Sequence, residues 1–409
     1  MSEPRRILYH HRIRADDGQA VHVRELIGAL RGLGHTVHEC ALVPKTAAAP
    51  AVAPASPPAG TSVGSGRRSP GFWQRLALPR TAVEVLEVLY DHKGRRMLRA
   101  AARTLRPHCV YERHALHCRS GLDVARELGV PLLLEVNSPM VDEMAKLGSL
   151  RFRRRAERTE RAVLGGADAV LAVTQVLADM LIDRGARREA VHVIGNGAEP
   201  ERYGADARAA AAVVRQRWAL PAGAFALGFV GYMRPWHRLD LVLDVMARPG
   251  FAALALVLMG QGPALEPLLQ AAKSRGLDGR VRALGEVPAA LLPAHVLACD
   301  GALIPAINAY ASPLKLFDSL AAGVPTLAPD QPNLRECVRD GEDGLLFPPG
   351  SVDDLARQLG RLVGDRAFAA RLGAAGLARL QQQRWTWRGN AERVLAVVDD
   401  LLARRGGRA

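Results

Sequence analysis

The segment Ser312-Pro313-Leu314-Lys315-Leu316-Phe317-Asp318-Ser319-Leu320-Ala321-Ala322-Gly323-Val324-Pro325 gathers several residue types that can bind and stabilise an anion. Serine as N-cap, proline at the first helical position, glycine just past the end and proline two later predict a helix over 313–322. The first amides of a helix have no partner inside it and carry the positive end of its dipole, so those of Leu314 to Phe317 form an anion site. Lys315 adds a full charge there. Asp318, one turn further in, suits hydrogen bonds from a ribose diol. Taken alone, the same capping signals fit a purely structural helix at least as well.

A second cationic segment changes that balance. Gly231-Tyr232-Met233-Arg234-Pro235-Trp236-His237-Arg238 directly follows the strand-like run Phe225–Val230. A strand, a glycine and a short loop bring Arg234, His237 and Arg238 to the sheet edge that also receives the Ser312 helix. Guanidinium forks match phosphate oxygens. In isolation the loop reads equally as a solvated basic turn; the two segments together converge on one anion.

The first half of the chain offers His10-His11-Arg12 at a strand end, then Gly18 ahead of a helical stretch Ala20–Leu33 that Gly34 ends. Gly18 permits close approach of the backbone to a ligand. The absence of Gly-x-Gly-x-x-Gly disfavours a nicotinamide cofactor. His10 and His11 as metal ligands are a weaker reading than His11 as a polar group facing a cleft, and no metal or resident cofactor is expected. At the end of Pro131–Glu135, the side chains of Glu135 and Asn137 are placed to face a reacting group, although Glu135 fits an ion-pair role equally. Glu112-Arg113-His114 ends the preceding strand in the same way.

These residues need elements to hold them. Short apolar runs alternate with amphipathic stretches through both halves: Arg6–Tyr9, Thr36–Leu42, His108–Tyr111, Pro131–Glu135, Ala169–Ala172 and Val191–Ile194, then Phe225–Val230, Ala253–Met259, Val281–Leu284, Ala302–Ile304, Thr326–Ala328 and Leu345–Phe347. That alternation predicts an α/β fold with parallel, doubly wound sheets. A chain of 409 residues exceeds a single core, so two Rossmann-like domains are expected. Their expected bounds are 1–200 and 201–384, joined somewhere in 197–222, with a last amphipathic helix over 385–409 that docks on the first domain. The Ala, Pro, Gly and Ser-rich stretch over 45–70 reads as a flexible insertion.

Composition fits a soluble globular chain, 49% hydrophobic, with one anomaly: a net charge of +14. That surplus implies a polyanionic partner. The run Arg151-Phe152-Arg153-Arg154-Arg155, with Arg158 and Arg161, is read first as a solvated helix face. Peripheral contact with an anionic membrane through Arg151–Arg161 is the other expectation. No recognition motif accompanies the charge, so a nucleic-acid partner is not expected. Five scattered cysteines without Cys-x-x-Cys or zinc spacing read as reduced thiols, and a polar N-terminus leading straight into a strand suggests a cytoplasmic chain.

Several of these segments together resemble glycosyltransferase family 4, retaining enzymes of GT-B fold with two Rossmann-like domains facing across a cleft. The resemblance rests on Gly18-Gln19-Ala20-Val21-His22, Gly34-His35-Thr36-Val37, Asn196-Gly197-Ala198-Glu199, Arg234-Pro235-Trp236-His237, Gly260-Gln261-Gly262-Pro263, and Ser312 through Pro325 with Glu336 and Gly341-Glu342-Asp343-Gly344-Leu345. Trp385-Thr386-Trp387 resembles the opening of the family's last helix. The resemblance implies a nucleotide-diphosphate sugar donor held mainly by the second domain, and an acceptor hydroxyl bound mainly by the first. Arg234, Lys315 and His237 would then be catalytic. Gly18, Arg238, Ser312, Pro313, Leu314, Leu316, Asp318 and Glu286 would bind the donor, with Asn137, Glu135 and His11 on the acceptor side. The family's Glu-x7-Glu signature falls on Tyr310 and Asp318, which departs from it twice, and this sequence looks like the Ser-Pro-Leu-Lys subgroup. A sugar-nucleotide 2-epimerase and an inactive sugar-nucleotide-binding subunit are the alternatives.

Overall fold

A computed structural model describes residues 3–15, 17–46 and 80–406. Of the flexible insertion expected over 45–70, all but Lys45 and Thr46 lie outside the described residues.

Every apolar run expected as a strand is one. The first sheet comprises β1 (Arg6–His10), β2 (Thr36–Cys40), β3 (Cys109–Arg113), β4 (Leu132–Val136), β5 (Ala169–Ala172) and β6 (Val191–Val193), in the order β2-β1-β3-β4-β5-β6. The second comprises β7 (Phe225–Val230), β8 (Leu254–Met259), β9 (Val281–Gly285), β10 (Gly301–Leu303), β11 (Thr326–Pro329) and β12 (Leu345–Phe347), in the order β12-β11-β10-β7-β8-β9. Pairing is parallel from β2 through β4 and throughout the second sheet. Strands buried on both faces read as unbroken apolar runs, and β8 is the clearest case, Leu-Ala-Leu-Val-Leu-Met with every residue buried.

Each sheet reverses its strand order once, between β1 and β3 in the first and between β7 and β10 in the second. At such a reversal the loops leaving neighbouring strands diverge to opposite faces and open a crevice beyond the strand ends. The four loops that matter chemically leave those four strands.

The chain divides into two compact units, 1–170 with 181–191 and 397–409, and 171–180 with 192–396. The last helix, Trp387–Gly406, therefore begins in one unit and ends in the other. In its first part Asn390 donates to the Gly195 carbonyl at 2.8 Å; further on, Asp399 pairs with Arg5 and Arg405 with Asp168, both at 2.8 Å. The second unit's core is dominated by β7 and β8 side chains, with Phe225, Leu227, Phe229, Leu254, Leu256 and Leu258 all fully buried.

Candidate functional site

In the second unit the helix expected at 313–322 runs Leu314–Ala322 and ends at Gly323, whose φ of 69° is the left-handed cap that glycine adopts without strain. Its start differs from expectation. Pro313, not Ser312, is the capping residue, and it makes no side-chain cap. The Ser312 hydroxyl instead accepts the Asn196 N–H at 3.1 Å, while the Asn196 amide donates to the Ser312 carbonyl at 2.5 Å. Ser312 thus docks the entry turn onto the loop after β6. Of the amides expected to be free, that of Leu316 folds back to the Pro313 carbonyl at 3.0 Å, which leaves Leu314 and Lys315 at the helix mouth. Pro313 and Leu316 bury their side chains, so only backbone is theirs to offer, and Leu314 is half-buried.

Lys315 is the centre of this site. Its ammonium nitrogen lies 4.0 Å from the centroid of the Phe229 ring at the end of β7. Burial pushes its pKa down to about 7, and among the described residues no acidic side chain offsets that effect. Gly231 permits the arrangement: its φ is 134°, and a Cβ there would stand 3.3 Å from Lys315 Nζ. Beyond Gly231, the exposed Arg234 lies over the Tyr232 ring at 5.0 Å. The loop is braced from β8, because Gly260 and Gly262 leave room for it; a Cβ on Gly262 would fall 2.2 Å from the Met233 carbonyl oxygen.

Two members of the expected basic trio behave differently. His237 is buried, stacked edge-on to Phe229 at 5.1 Å and against Trp236 at 3.9 Å. Burial first, then Lys315 and Arg234, lower its pKa to about 3, so it stays neutral. Its Nδ1 accepts the Arg234 N–H at 3.1 Å, which makes His237 a clasp for the loop rather than a cation. Arg238 takes a left-handed conformation, φ 53°, and its guanidinium is forked onto Asp240 at 3.0 Å. Its guanidinium is thus engaged by Asp240 rather than free for an anion. Asp318 accepts a hydrogen bond from Tyr203 Oη at 2.7 Å, a partner with no signature in the sequence. Glu286 is exposed in the turn after β9.

Residues 17–202 match the family model described as Glycosyltransferase Family 4, and residues 212–379 match that of Glycosyl transferases group 1. The chain belongs to glycosyltransferase family 4. It is similar to the D-inositol 3-phosphate glycosyltransferases of Nocardia farcinica, 31% identical over 61% of this chain and 57% of that one, and of Streptosporangium roseum, 30% identical over 67% and 65%. The match thus spans less than two thirds of either relative's own length. Among solved structures, Anabaena HepE in complex with UDP superposes with a TM-score of 0.67 at 18% identity, covering 97% of this chain and 100% of that one. Sucrose-phosphate synthase from Thermosynechococcus elongatus gives 0.72 at 20% identity, covering 98% and 100%. The fold is GT-B.

The first unit of this family 4 chain corrects two expected acceptor-side residues. Glu135 is buried under Tyr111 Oη at 2.8 Å, Tyr9 Oη at 3.2 Å, His22 Nε2 at 3.2 Å and the Arg113 guanidinium. Burial opposes its ionisation, but His22 and Arg113 hold the carboxyl well below the usual range. Its lone pairs are consumed inside the unit. His11 is buried against Glu39 at 2.8 Å, while its Nδ1 accepts the Ile13 N–H at 3.2 Å. Polar residues at a strand end suit a cleft and an internal ion pair alike, and only the fold decides. Asn137 is half-buried with its carbonyl oxygen unpartnered. Gly18 opens the helix Gly18–Gly32, two residues earlier than expected, because Asp17 caps it by accepting the Gln19 N–H at 2.9 Å.

His10, Glu112 and Cys118 bring possible ligand atoms within 4.8 Å of one another. Glu112 Oε1 is already engaged by His10 Nδ1 at 2.6 Å and the Gly121 N–H at 2.9 Å, and burial raises the Cys118 pKa, so the trio reads as an internal hydrogen-bond network. Arg12 and His114, named in the sequence as parts of strand-end segments, and Arg14 line a cavity of about 370 Å³ beyond β1 and β3 together with Arg113. Their signal was positional: each follows a strand that flanks the reversal of order.

Proposed function

We propose that this chain transfers a glycosyl group from a nucleotide-diphosphate sugar to an acceptor hydroxyl, with retention at the anomeric carbon and without a metal ion. The observation that carries the reading is Lys315, a half-buried ammonium with no carboxylate paired to it among the described residues, beside Gly231 at the N-terminus of a helix. A buried cation without a counter-ion is costly, and an anionic ligand removes the cost. The UDP bound by Anabaena HepE supports UDP as the nucleotide to test first.

In this reading the glycosyl–phosphate bond breaks through an oxocarbenium-like state. Charge gathering on the leaving diphosphate is met by Lys315, Arg234 and the amides of Leu314 and Lys315. The acceptor hydroxyl attacks from the same face and gives its proton to a donor phosphate oxygen, which needs no glycosidase-like carboxylate pair. Asp318, oriented by Tyr203, receives the ribose hydroxyls. The test is turnover of a panel of UDP-, GDP- and ADP-sugars by the protein and by Lys315→Ala and Arg234→Ala. Each variant is expected to lose at least about tenfold in kcat/KM, about 1.4 kcal/mol of transition-state stabilisation. Wild-type rates in both would overturn the assignment.

A further inference from the structure

The first unit contains a cavity for which its internal ion pairs leave no occupant. It lies beyond the ends of β1 and β3, where the strand order reverses, and holds about 370 Å³. Its walls are mostly apolar, formed by Leu42, Val83, Leu86, Leu116 and Met140 among others, and Arg12, Arg14 and Arg113 border it. Arg113 is paired with Glu135, Arg12 lies over the Tyr90 ring at 4.4 Å, Arg14 is exposed, and Glu87 is the acidic residue of the lining. Among the described lining residues, counted with Glu135, the charge is net positive.

His114 supplies the independent sign of a ligand. It lines the cavity at 9% exposure, and its Nδ1 is buried with no hydrogen-bond partner among the described residues. Buried polar atoms in folded proteins are nearly always bonded, so an orphaned imidazole nitrogen on a cavity-lining residue leaves bonding capacity for a polar group from outside the chain. Burial keeps the ring neutral, with a pKa near 4, and a neutral imidazole nitrogen either accepts from or donates to a hydroxyl according to its tautomer.

The apolar wall continues outward. On the helix Arg80–Leu105, Val83, Leu86 and Leu89 are 42%, 51% and 56% exposed and follow one another at three-residue spacing. The start of the arginine run is anchored beside them, because Glu84 on the same helix accepts the N–H groups of Arg151 and Phe152 at 2.7 and 2.8 Å. An apolar stripe next to a basic segment complements an anionic head group attached to a hydrocarbon chain.

We infer that this cavity is the acceptor subsite and that the acceptor is a lipid-borne phosphate: the anion at Arg12 and Arg14, the hydrocarbon along Leu42, Val83 and Leu86, and a hydroxyl at His114. The assignment of the cavity to an acceptor rests on the glycosyltransferase reading above; its ligand chemistry does not. The test is calorimetric binding of farnesyl phosphate to the full chain, against farnesol, which lacks the anion, and glycerol phosphate, which lacks the hydrocarbon, with UDP titrated in parallel. Farnesyl phosphate is expected to bind at least about tenfold more tightly than either half-ligand, since both the charge and the apolar contact contribute. Arg14→Ala and Leu86→Glu, both at exposed positions that tolerate change, are each expected to weaken it at least about fivefold and to leave UDP affinity unaltered. His114→Phe is expected to weaken hydroxylated lipid phosphates more than farnesyl phosphate itself. Equal binding of farnesyl phosphate and glycerol phosphate would mean a soluble phosphate acceptor, and would overturn the lipid assignment, as would unchanged affinity in both surface variants. Absence of UDP binding alone would refute the donor reading and leave only the ligand chemistry of the cavity standing.

Discussion

If Lys315 is held at a pKa of about 7 by burial, nucleotide binding must be coupled to proton uptake. The free lysine exchanges its proton near neutrality, whereas a diphosphate beside it favours the charged form and raises the pKa. The sign follows directly. Below about pH 7 the ammonium is already present and affinity is independent of pH. Above it the protein must first acquire a proton, and affinity falls about tenfold per pH unit, about 1.4 kcal/mol, until the pKa of the bound state is reached. At pH 8, one unit above the free pKa, binding should take up about 0.9 proton per UDP. The terminal phosphate of UDP has its own pKa near 6 and is largely ionised through this range, so it does not mimic the effect. Isothermal titration with UDP in two buffers of different ionisation enthalpy measures the uptake; a series from pH 6.5 to 9 measures the affinity. Lys315→Arg keeps the charge at every pH tested, so its affinity, whatever its level, should be flat over the interval. Zero proton uptake at pH 8 with a pH-independent wild-type affinity would show that Lys315 is either charged throughout or remote from the diphosphate.

Other substitutions check the surroundings. Gly262→Ala places a Cβ 2.2 Å from the Met233 carbonyl, at a φ of 146° that disfavours alanine, so the Arg234 loop should shift; UDP affinity is expected to fall at least about tenfold, measured by the same calorimetry. Arg238→Gly relieves a left-handed residue and should leave UDP affinity unchanged while raising stability to denaturant by up to about 1 kcal/mol; a clear loss of affinity would return Arg238 to the phosphate site. Glu135→Gln strands the buried Arg113 guanidinium and is expected to cost about 3–5 kcal/mol in urea unfolding. Glu39 has its pKa lowered to about 2, since bonds from His11, Thr46 and Lys45 outweigh the burial that alone would raise it. Its contribution to stability is therefore complete above the unfolded value of about 4.5 and is lost as pH falls toward 2. Glu39→Gln should flatten that part of the acid-unfolding curve.

The strands were legible because both sheets are buried on both faces, and β7 through β12 appear as apolar runs whose bounds needed only small adjustment. The anion site was legible for a related reason. Gly231, Lys315 and Gly323 act through backbone geometry and charge, which residue type reports directly. What could not be read was the partner of each polar group. Ser312 has the sequence signature of a helix cap, yet Asn196, 116 positions away, takes its hydroxyl. His237 looks like a cation until Phe229 and Trp236 enclose it. Glu135 and His11 look alike from sequence as cleft-facing groups, and both are consumed by residues the topology brings beside them. His114 and Arg12 were legible as strand-end groups, but the cavity they share followed only from the order of β1 and β3.

Because residues 397–409 group with the first 170, the first unit is discontinuous in the order of synthesis. Arg5 and Asp168 leave the ribosome long before Asp399 and Arg405, which pair with them. At about 5–20 residues per second, a delay on the order of ten seconds or more separates the nascent sheet from its last helical piece. During that interval the second unit has every residue up to 396 to complete itself, so it is the one able to finish first, and closure of the earlier-made unit waits on the later one.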